Sequence, residues 1–265
     1  MGALDELRHE PTEKRIRARL GDQEVVDSTH ALLVWEPRRV VPSYAVPPAD
    51  VHGELVPIAA APSSDAPILH PGIPFSAHST DGESLALKLE DETVDHAAFR
   101  PADTGLAGHV ILDHDAFDSW FEEDEPILGH PRDPFHRVDT RKSSRHVRIE
   151  YDGKTLAESS EPTFVFETNL PLRFYLPRGD VQVEPRPSAK RTVCAYKGEA
   201  SYWSFDLGGK SADVAWTYED PLPDARALTG LVAFYDELVD VIVDGERRAR
   251  PDTPFARALA DEFGL

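Results

Sequence analysis

The chain has 265 residues, of which 40% are hydrophobic, and carries 28 basic against 48 acidic side chains for a formal net charge of −20. That composition excludes a disordered chain, and the acidity excludes the broad basic faces that nucleic acid and anionic membranes require. No apolar run reaches the roughly 18 residues of a membrane-spanning helix, and a lone cysteine, Cys194, excludes an intramolecular disulfide and any multi-cysteine zinc site.

The start, Met1-Gly2-Ala3-Leu4-Asp5-Glu6-Leu7, lacks the basic and apolar regions of a secretory signal, so the expected compartment is the cytoplasm. Ala3 to His9 is expected as a short terminal helix. Residues 15–28 read as an alternating strand, a Gly21-Asp22 turn and a second strand. Asp115 to Asp124 has apolar residues at Ala116, Phe117, Trp120 and Phe121, a helical spacing; its counterpart in the second half, Val239 to Glu246, reads as a strand, and strand is expected in both. Residues 130–144, with Pro131, Pro134 and several charges, are expected as a linker outside any strand. Beyond them His146 to Tyr151 alternates with period two. Asp152-Gly153 then supplies the hairpin turn, whose left-handed position glycine fills without strain. Further strands are expected at 163–166, 172–176, 191–196 and 239–243, the last closed by Asp244-Gly245. Thr253 to Phe263 is expected as a second terminal helix, with Thr253 as N-cap and Pro254 at its first position. With 23 prolines and 16 glycines as punctuation, the pattern predicts a mainly β protein.

An internal repeat organises these elements. Arg15 to Ser28 parallels Arg145 to Ser159, and eight residues after Ser28 and Ser159 come Glu36 and Glu167. Tyr44-Ala45-Val46-Pro47-Pro48-Ala49-Asp50-Val51 parallels Phe174-Tyr175-Leu176-Pro177-Arg178-Gly179-Asp180-Val181. Gly108-His109-Val110-Ile111-Leu112 parallels Gly230-Leu231-Val232-Ala233-Phe234. Three blocks in one order predict two tandem β-rich modules, residues 1–129 and 145–265, each a small bent sheet or barrel.

The second half carries Cys194-Ala195-Tyr196-Lys197-Gly198, then Ala215-Trp216-Thr217-Tyr218, then Gly230-Leu231-Val232-Ala233-Phe234-Tyr235. These blocks resemble the domain-of-unknown-function 427 family, with Ala195 standing where that family usually has proline. The resemblance covers 145 to about 250 well and 15 to about 125 faintly, and it implies a compact tent-like or barrel-like β fold. A nucleotidyltransferase label sometimes attached to the family gains no support here, since there is neither a glycine-rich phosphate loop nor a close pair of acids for Mg²⁺.

Tyr196, Tyr202, Trp216, Tyr218 and Tyr235 are the expected ligand-binding residues, an aromatic wall with polar handles around one cation, suited to a small anionic or planar organic molecule. Lys197 and Cys194 are the catalytic candidates: a desolvated Lys197 would act as base or Schiff-base nucleophile, and Cys194 as a thiol nucleophile. Against this, Trp216 and Tyr218 fit core packing, Lys197 fits a surface charge or a pair with Glu167 or Glu219, and Cys194 fits a small buried hydrophobe. In the first half His70 to Phe75, followed by His78-Ser79, stands in place of the lysine block, and Ala98-Phe99 in place of Trp216 to Tyr218. His70, His78, His109 and His114 would serve as metal ligands if they converged, but scattered polar histidines explain them equally, and no metal site is assigned. Two functions remain: a small-molecule-binding protein, with or without catalysis by Lys197 or Cys194, or a non-catalytic module whose acidic stretches such as Glu122-Glu123-Asp124-Glu125 engage a basic partner.

Overall fold

The computed structural model describes residues 2–207, 210–253 and 257. The chain divides into two compact units, Met1–Pro134 and Phe135–Leu265. The helix expected over Thr253 to Phe263 lies outside the described residues except at Thr253 and Arg257.

In the first unit, β1 (Arg8–Pro11), β4 (Leu32–Trp35), β5 (Ser43–Val46), β6 (Glu54–Pro57), β7 (Gly82–Lys88), β8 (Thr93–Pro101) and β9 (Val110–Leu112) form a sheet ordered β1-β4-β5-β9-β8-β7-β6. A smaller sheet, β11-β10-β2-β3, is built from β2 (Ile16–Leu20), β3 (Gln23–Ser28), β10 (Ser119–Glu122) and β11 (Glu125–Pro126). Every pairing in the two sheets is antiparallel. The expectation of strand around Trp120 is therefore met by β10.

The second unit has β12 (Val138–Lys142), β15 (Thr163–Glu167), β16 (Arg173–Pro177), β17 (Arg186–Cys194), β18 (Gly198–Leu207), β19 (Lys210–Thr217) and β20 (Leu231–Phe234) in the order β12-β15-β16-β20-β19-β18-β17. Its small sheet, β14-β13-β21-β22, contains β13 (Val147–Tyr151), β14 (Lys154–Ser159), β21 (Asp240–Val243) and β22 (Glu246–Arg247). Numbered within each unit, the two strand orders are identical. Smaller details match as well. A bulge falls between Ala18 and Arg19 and between Ile149 and Glu150. An isolated bridge joins Val26 to Val51 and Ala157 to Val181. Asp152 and Gly153 sit at φ 48° and 75° between the closing pair Tyr151 and Lys154, the left-handed pair of a tight hairpin turn.

Two expectations need correction. Val138–Lys142 is a strand, paired with β15 from Val138↔Glu167 to Lys142↔Thr163; Pro131 and Pro134 precede it, leaving Val138 and Thr140 free to favour extended backbone. Near the N-terminus the helix is only a 3-10 turn at Gly2–Asp5, and Arg8–Pro11 is an edge strand, where Pro11 costs no ladder bond that a neighbour needs. Seven residues without a second turn of apolar repeats do not sustain a helix.

Strand alternation gives each large sheet two chemically distinct faces. In the first unit Leu33, Trp35, Tyr44, Val46, Ala98 and Leu112 join the core formed with Ile16, Ala18, Val25 and Trp120 of the small sheet. The alternate residues Val34, Ala45, Phe99 and Ile111, with Leu106, form a separate apolar cluster on the outer face. In the second unit Phe234 and Ala215 pair on one face, while Tyr175, Ala233, Trp216 and Tyr202 run as one cross-strand row on the other. By register that row is the equivalent of Ala45, Ile111, Phe99 and Ser84.

Candidate functional site

The outer face of the second large sheet gathers the residues expected to carry function. Tyr202 faces Trp216 across β18 and β19, and both point the same way as Tyr175 on β16. Trp216 donates its indole N–H to the Tyr175 hydroxyl at 3.0 Å and lies 4.6 Å, centroid to centroid, from Tyr235. Tyr202 and Tyr235 join through their hydroxyls at 3.1 Å, and Thr192 Oγ1 lies 2.9 Å from the Tyr202 hydroxyl. Lys190 Nζ sits 5.0 Å from the Tyr202 ring centroid.

At the edge of this aromatic set Lys197 is buried and donates from Nζ to Glu167 Oε2. The other oxygen of Glu167 is held by His136 Nε2 at 3.1 Å, and the His136 ring stacks on Tyr196 with centroids 4.0 Å apart. Burial alone would push the Glu167 carboxyl up; the His136 hydrogen bond and the charge of Lys197 outweigh it and hold the carboxyl below its usual range. Glu219, the other partner considered for Lys197, instead lies 3.6 Å from Arg178.

Local geometry fixes this arrangement. Gly198 has φ +104°, and a Cβ there would meet Asp220 O and Leu222 N at 3.4 Å. Leu222 N also donates to Lys197 O at 3.1 Å. The glycine therefore admits another segment of the same chain and turns Lys197 towards Glu167. Cys194 is a half-buried free thiol on edge strand β17, opposite Gly198 in register. Tyr218 is buried, and its hydroxyl feels the neighbouring groups of Tyr175, Cys194, Glu167 and Tyr202 after the dominant effect of burial.

All seven candidates thus occur on or beside one sheet face. Sequence reasoning named Glu167 as a repeat marker and as one of two possible pairs for Lys197, and placed His136 in the linker, weighed there with His130 as a metal pair and not as a partner of Glu167. His136 precedes β12, in the stretch read as a linker, and nothing local marks a histidine whose partner lies 31 residues away. The candidates retain little surface: Lys197 is 7% exposed, Trp216 8% and Tyr218 5%. An open depression of about 350 Å³ in the same unit lies elsewhere, lined by Lys154, Leu156, Gln182, Val183, Glu184 and Phe205.

The equivalent face of the first unit is built differently. Glu36 accepts from His78 Nδ1 at 2.8 Å, Ser79 N at 3.0 Å and Thr80 Oγ1 at 2.9 Å, while His78 Nε2 lies 3.0 Å from Asp113 Oδ1. His78 stacks on Phe99 at 3.8 Å. Counting back along the chain from the register-equivalent Ser84 and Tyr202, the non-strand residues Ser76, Ala77, His78 and Ser79 fall at the positions of Cys194, Ala195, Tyr196 and Lys197. A buried glutamate at the end of β4 or β15 is thus neutralised in both units, by an imidazole and hydroxyl in one and by an ammonium and imidazole in the other.

The four histidines weighed as ligands do not converge: the His78 ring is taken up between two carboxylates, His114 stacks on Trp120 at 5.2 Å, and His70 Nδ1 accepts from Gly72 N. Among the described residues no group of three or more His, Cys, Asp or Glu side chains is placed to hold a metal ion. Most of the acidic stretch is engaged internally. Glu122 accepts from Lys14 and Tyr44, Glu123 from Arg15 N and Arg17, and Asp124 lies 3.3 Å from Arg17.

With this geometry in place, one comparison is informative. Residues 139–245 match the family described as domain of unknown function (DUF427). The match spans β12 to the turn after β21 and contains every residue of the aromatic row together with Lys197, Glu167 and Cys194. His136 falls just outside it. The chain matches no curated protein. No helix among the described residues is long and apolar enough to cross a membrane.

Proposed function

We propose that the second unit binds a small planar organic molecule on the outer face of its large sheet, and that the first unit is a diverged copy of the same module in which that face has been closed. The observation that carries this reading is the contrast at equivalent positions. Ala45, Ser84, Phe99 and Asp113 of the first unit correspond to Tyr175, Tyr202, Trp216 and Tyr235 of the second. The common strand order supports duplication, and the substituted face supports a function confined to one copy.

The charge inventory narrows the ligand. Lys197 is spent on Glu167, so an incoming anion would have to displace a carboxylate already seated and desolvated. A planar molecule stacking among tyrosines and a tryptophan meets no such cost. Within the acidic stretch Glu122 pairs with Lys14 and Asp124 with Arg17, and no observation favours the basic-partner alternative. Lys197 and Cys194 remain the groups through which binding would extend to catalysis; the Glu167 hydrogen bond would have to break before Lys197 could act as a nucleophile.

The test is a thermal-shift screen of the full chain against small planar compounds, with Trp216→Phe and the paired change Lys197→Met with Glu167→Gln as controls. The paired change avoids stranding a buried charge. Compounds that raise the midpoint of the wild type, and do so less in both variants, support the reading. If no compound shifts the wild type, or all shift the three proteins equally, the site is elsewhere.

A further inference from the structure

The depression of about 350 Å³ in the second unit takes its walls from both sheets. Lys154 and Leu156 come from β14, Phe205 from β18, and Gln182, Val183 and Glu184 from the segment joining β16 to β17. Leu156 and Phe205 are buried members of the core, and Val183 is half-buried against it. Lys154, Gln182 and Glu184 are exposed. An apolar floor thus carries a polar rim, and the volume sits at the small end of the range for ligand sites, about 300–1,000 Å³.

The first unit shows the same place closed. Register and the bridges Val26↔Val51 and Ala157↔Val181 make Gln23, Val25, His52, Gly53, Glu54 and Leu87 the counterparts of the six lining residues. His52 N donates to Val25 O and Gln182 N to Leu156 O, both at 2.8 Å, which confirms the alignment. A Cβ on Gly53 would lie 2.7 Å from Leu87 Cδ1, 2.9 Å from Leu89 Cδ2 and 3.0 Å from Lys88 O, so the first unit has no room there even for a methyl group. The charges differ as well. Neutral Gln23 stands for Lys154, and Glu54 lies 3.9 Å from Lys88 Nζ. In the second unit neither Lys154 nor Glu184 has an ion-pair partner among the described residues, although both line one depression.

We infer that this depression is a second ligand site, separate from the outer sheet face, and that it takes a zwitterionic α-amino acid with an apolar side chain. Two unlike charges that share a cavity without pairing match a ligand that carries both. The carboxylate is met by Lys154, the ammonium by Glu184, and the side chain by Leu156, Val183 and Phe205. Burial of the side chain supplies most of the affinity. The two ion pairs, exposed to water and individually weak, supply the selectivity.

The experiment titrates the full chain by ligand-observed NMR with L-leucine, 4-methylpentanoate (the same body without the ammonium) and 3-methylbutylamine (without the carboxylate). Wild type, Lys154→Gln, Glu184→Gln and Trp216→Phe are compared. Wild type is expected to bind leucine about fivefold more tightly than either analogue, the scale of one exposed ion pair. Lys154→Gln should weaken leucine about fivefold and leave the amine unchanged, and Glu184→Gln should weaken leucine equally and leave the pentanoate unchanged. Both rim residues are exposed, so the thermal midpoints should not move. Trp216→Phe should leave all three affinities as they are, which separates this site from the outer face. No leucine binding by wild type up to about 10 mM, an analogue that binds as tightly as leucine, or leucine binding indifferent to both rim substitutions overturns the inference. Leucine binding lost only in Trp216→Phe overturns it too, and moves the ligand to the outer face. Leucine binding that follows the rim residues supports it even if no planar compound stabilises the protein.

Discussion

Replacing His78 by glutamine should uncouple the stability of the first unit from alkaline pH. His78 lies between Glu36 and Asp113, buried with them. Burial opposes its protonation, but the two carboxylates outweigh burial and raise its pKa from 6.5 to about 9. A raised pKa means the folded state holds the proton more tightly. The stabilisation is therefore complete below about pH 6.5, declines as pH rises, and is gone above about pH 9. A displacement of that size corresponds to about 3 kcal/mol. The same scale follows independently, since removing one partner of a buried ion pair costs about 3–5 kcal/mol. Asp113 offsets part of this gain: its burial holds its own carboxyl above the usual range despite His78, so 3 kcal/mol is an upper bound. Amide exchange at Ala45 and Ile111, on the sheet face beneath the histidine, reports the first unit alone. Wild type should lose protection progressively between pH 6.5 and 9.5, after correction for intrinsic exchange. His78→Gln should start lower by about 2–3 kcal/mol and stay nearly flat. Equal slopes in the two proteins would refute the imidazolium bridge.

Other substitutions probe the second unit by urea unfolding or amide exchange. Lys197→Met alone should cost about 3–5 kcal/mol because it strands Glu167, whereas the double change with Glu167→Gln should recover most of that loss; additive losses would show the pair is not coupled. Asp236 is held up to about pH 6, first by burial and against the pull of Arg173, so ionising it costs stability as pH rises from about 4 to 6. Asp236→Asn should therefore stabilise the unit at pH 8, by up to about 3 kcal/mol, and give no gain below pH 4; a loss at pH 8 would mean its interaction with Arg173 dominates. Gly198→Ala should destabilise by about 1–3 kcal/mol through its left-handed backbone, and an unchanged midpoint would contradict the close approach of Asp220 to Leu222. Acidification below the Glu167 carboxyl's lowered range should release Lys197, seen as loss of protection at Trp216 that the double variant does not share.

Much of the second unit was legible locally because its signals are local. Asp152-Gly153 and Asp244-Gly245 demand left-handed turns wherever they occur between extended segments, and both adopt them. Alternation in Val147 to Tyr151 needs only a sheet with one buried face. The strand Val138–Lys142 was hidden because five residues with three charges look like a connector until β15 supplies the ladder. Among site residues, Lys197, Trp216 and Tyr218 stand out by type and spacing. Glu167 looked like a framework residue, and as the counterpart of Glu36 it is one, but it is also the group that fixes Lys197.

Sequence alone therefore determined that the chain is mainly β, that related blocks recur in one order, and that the candidate site residues of the second half differ from their counterparts in the first. Short-range backbone preference and side-chain period carry that information. Only the tertiary structure decided that Lys197 is paired and not solvated, that His136 belongs to the same network, and that Tyr202 meets Thr192 and Tyr235 through its hydroxyl. Those facts depend on which side chains meet at separations of 10 to 33 residues along the chain, and no local pattern encodes whether a buried donor finds its acceptor.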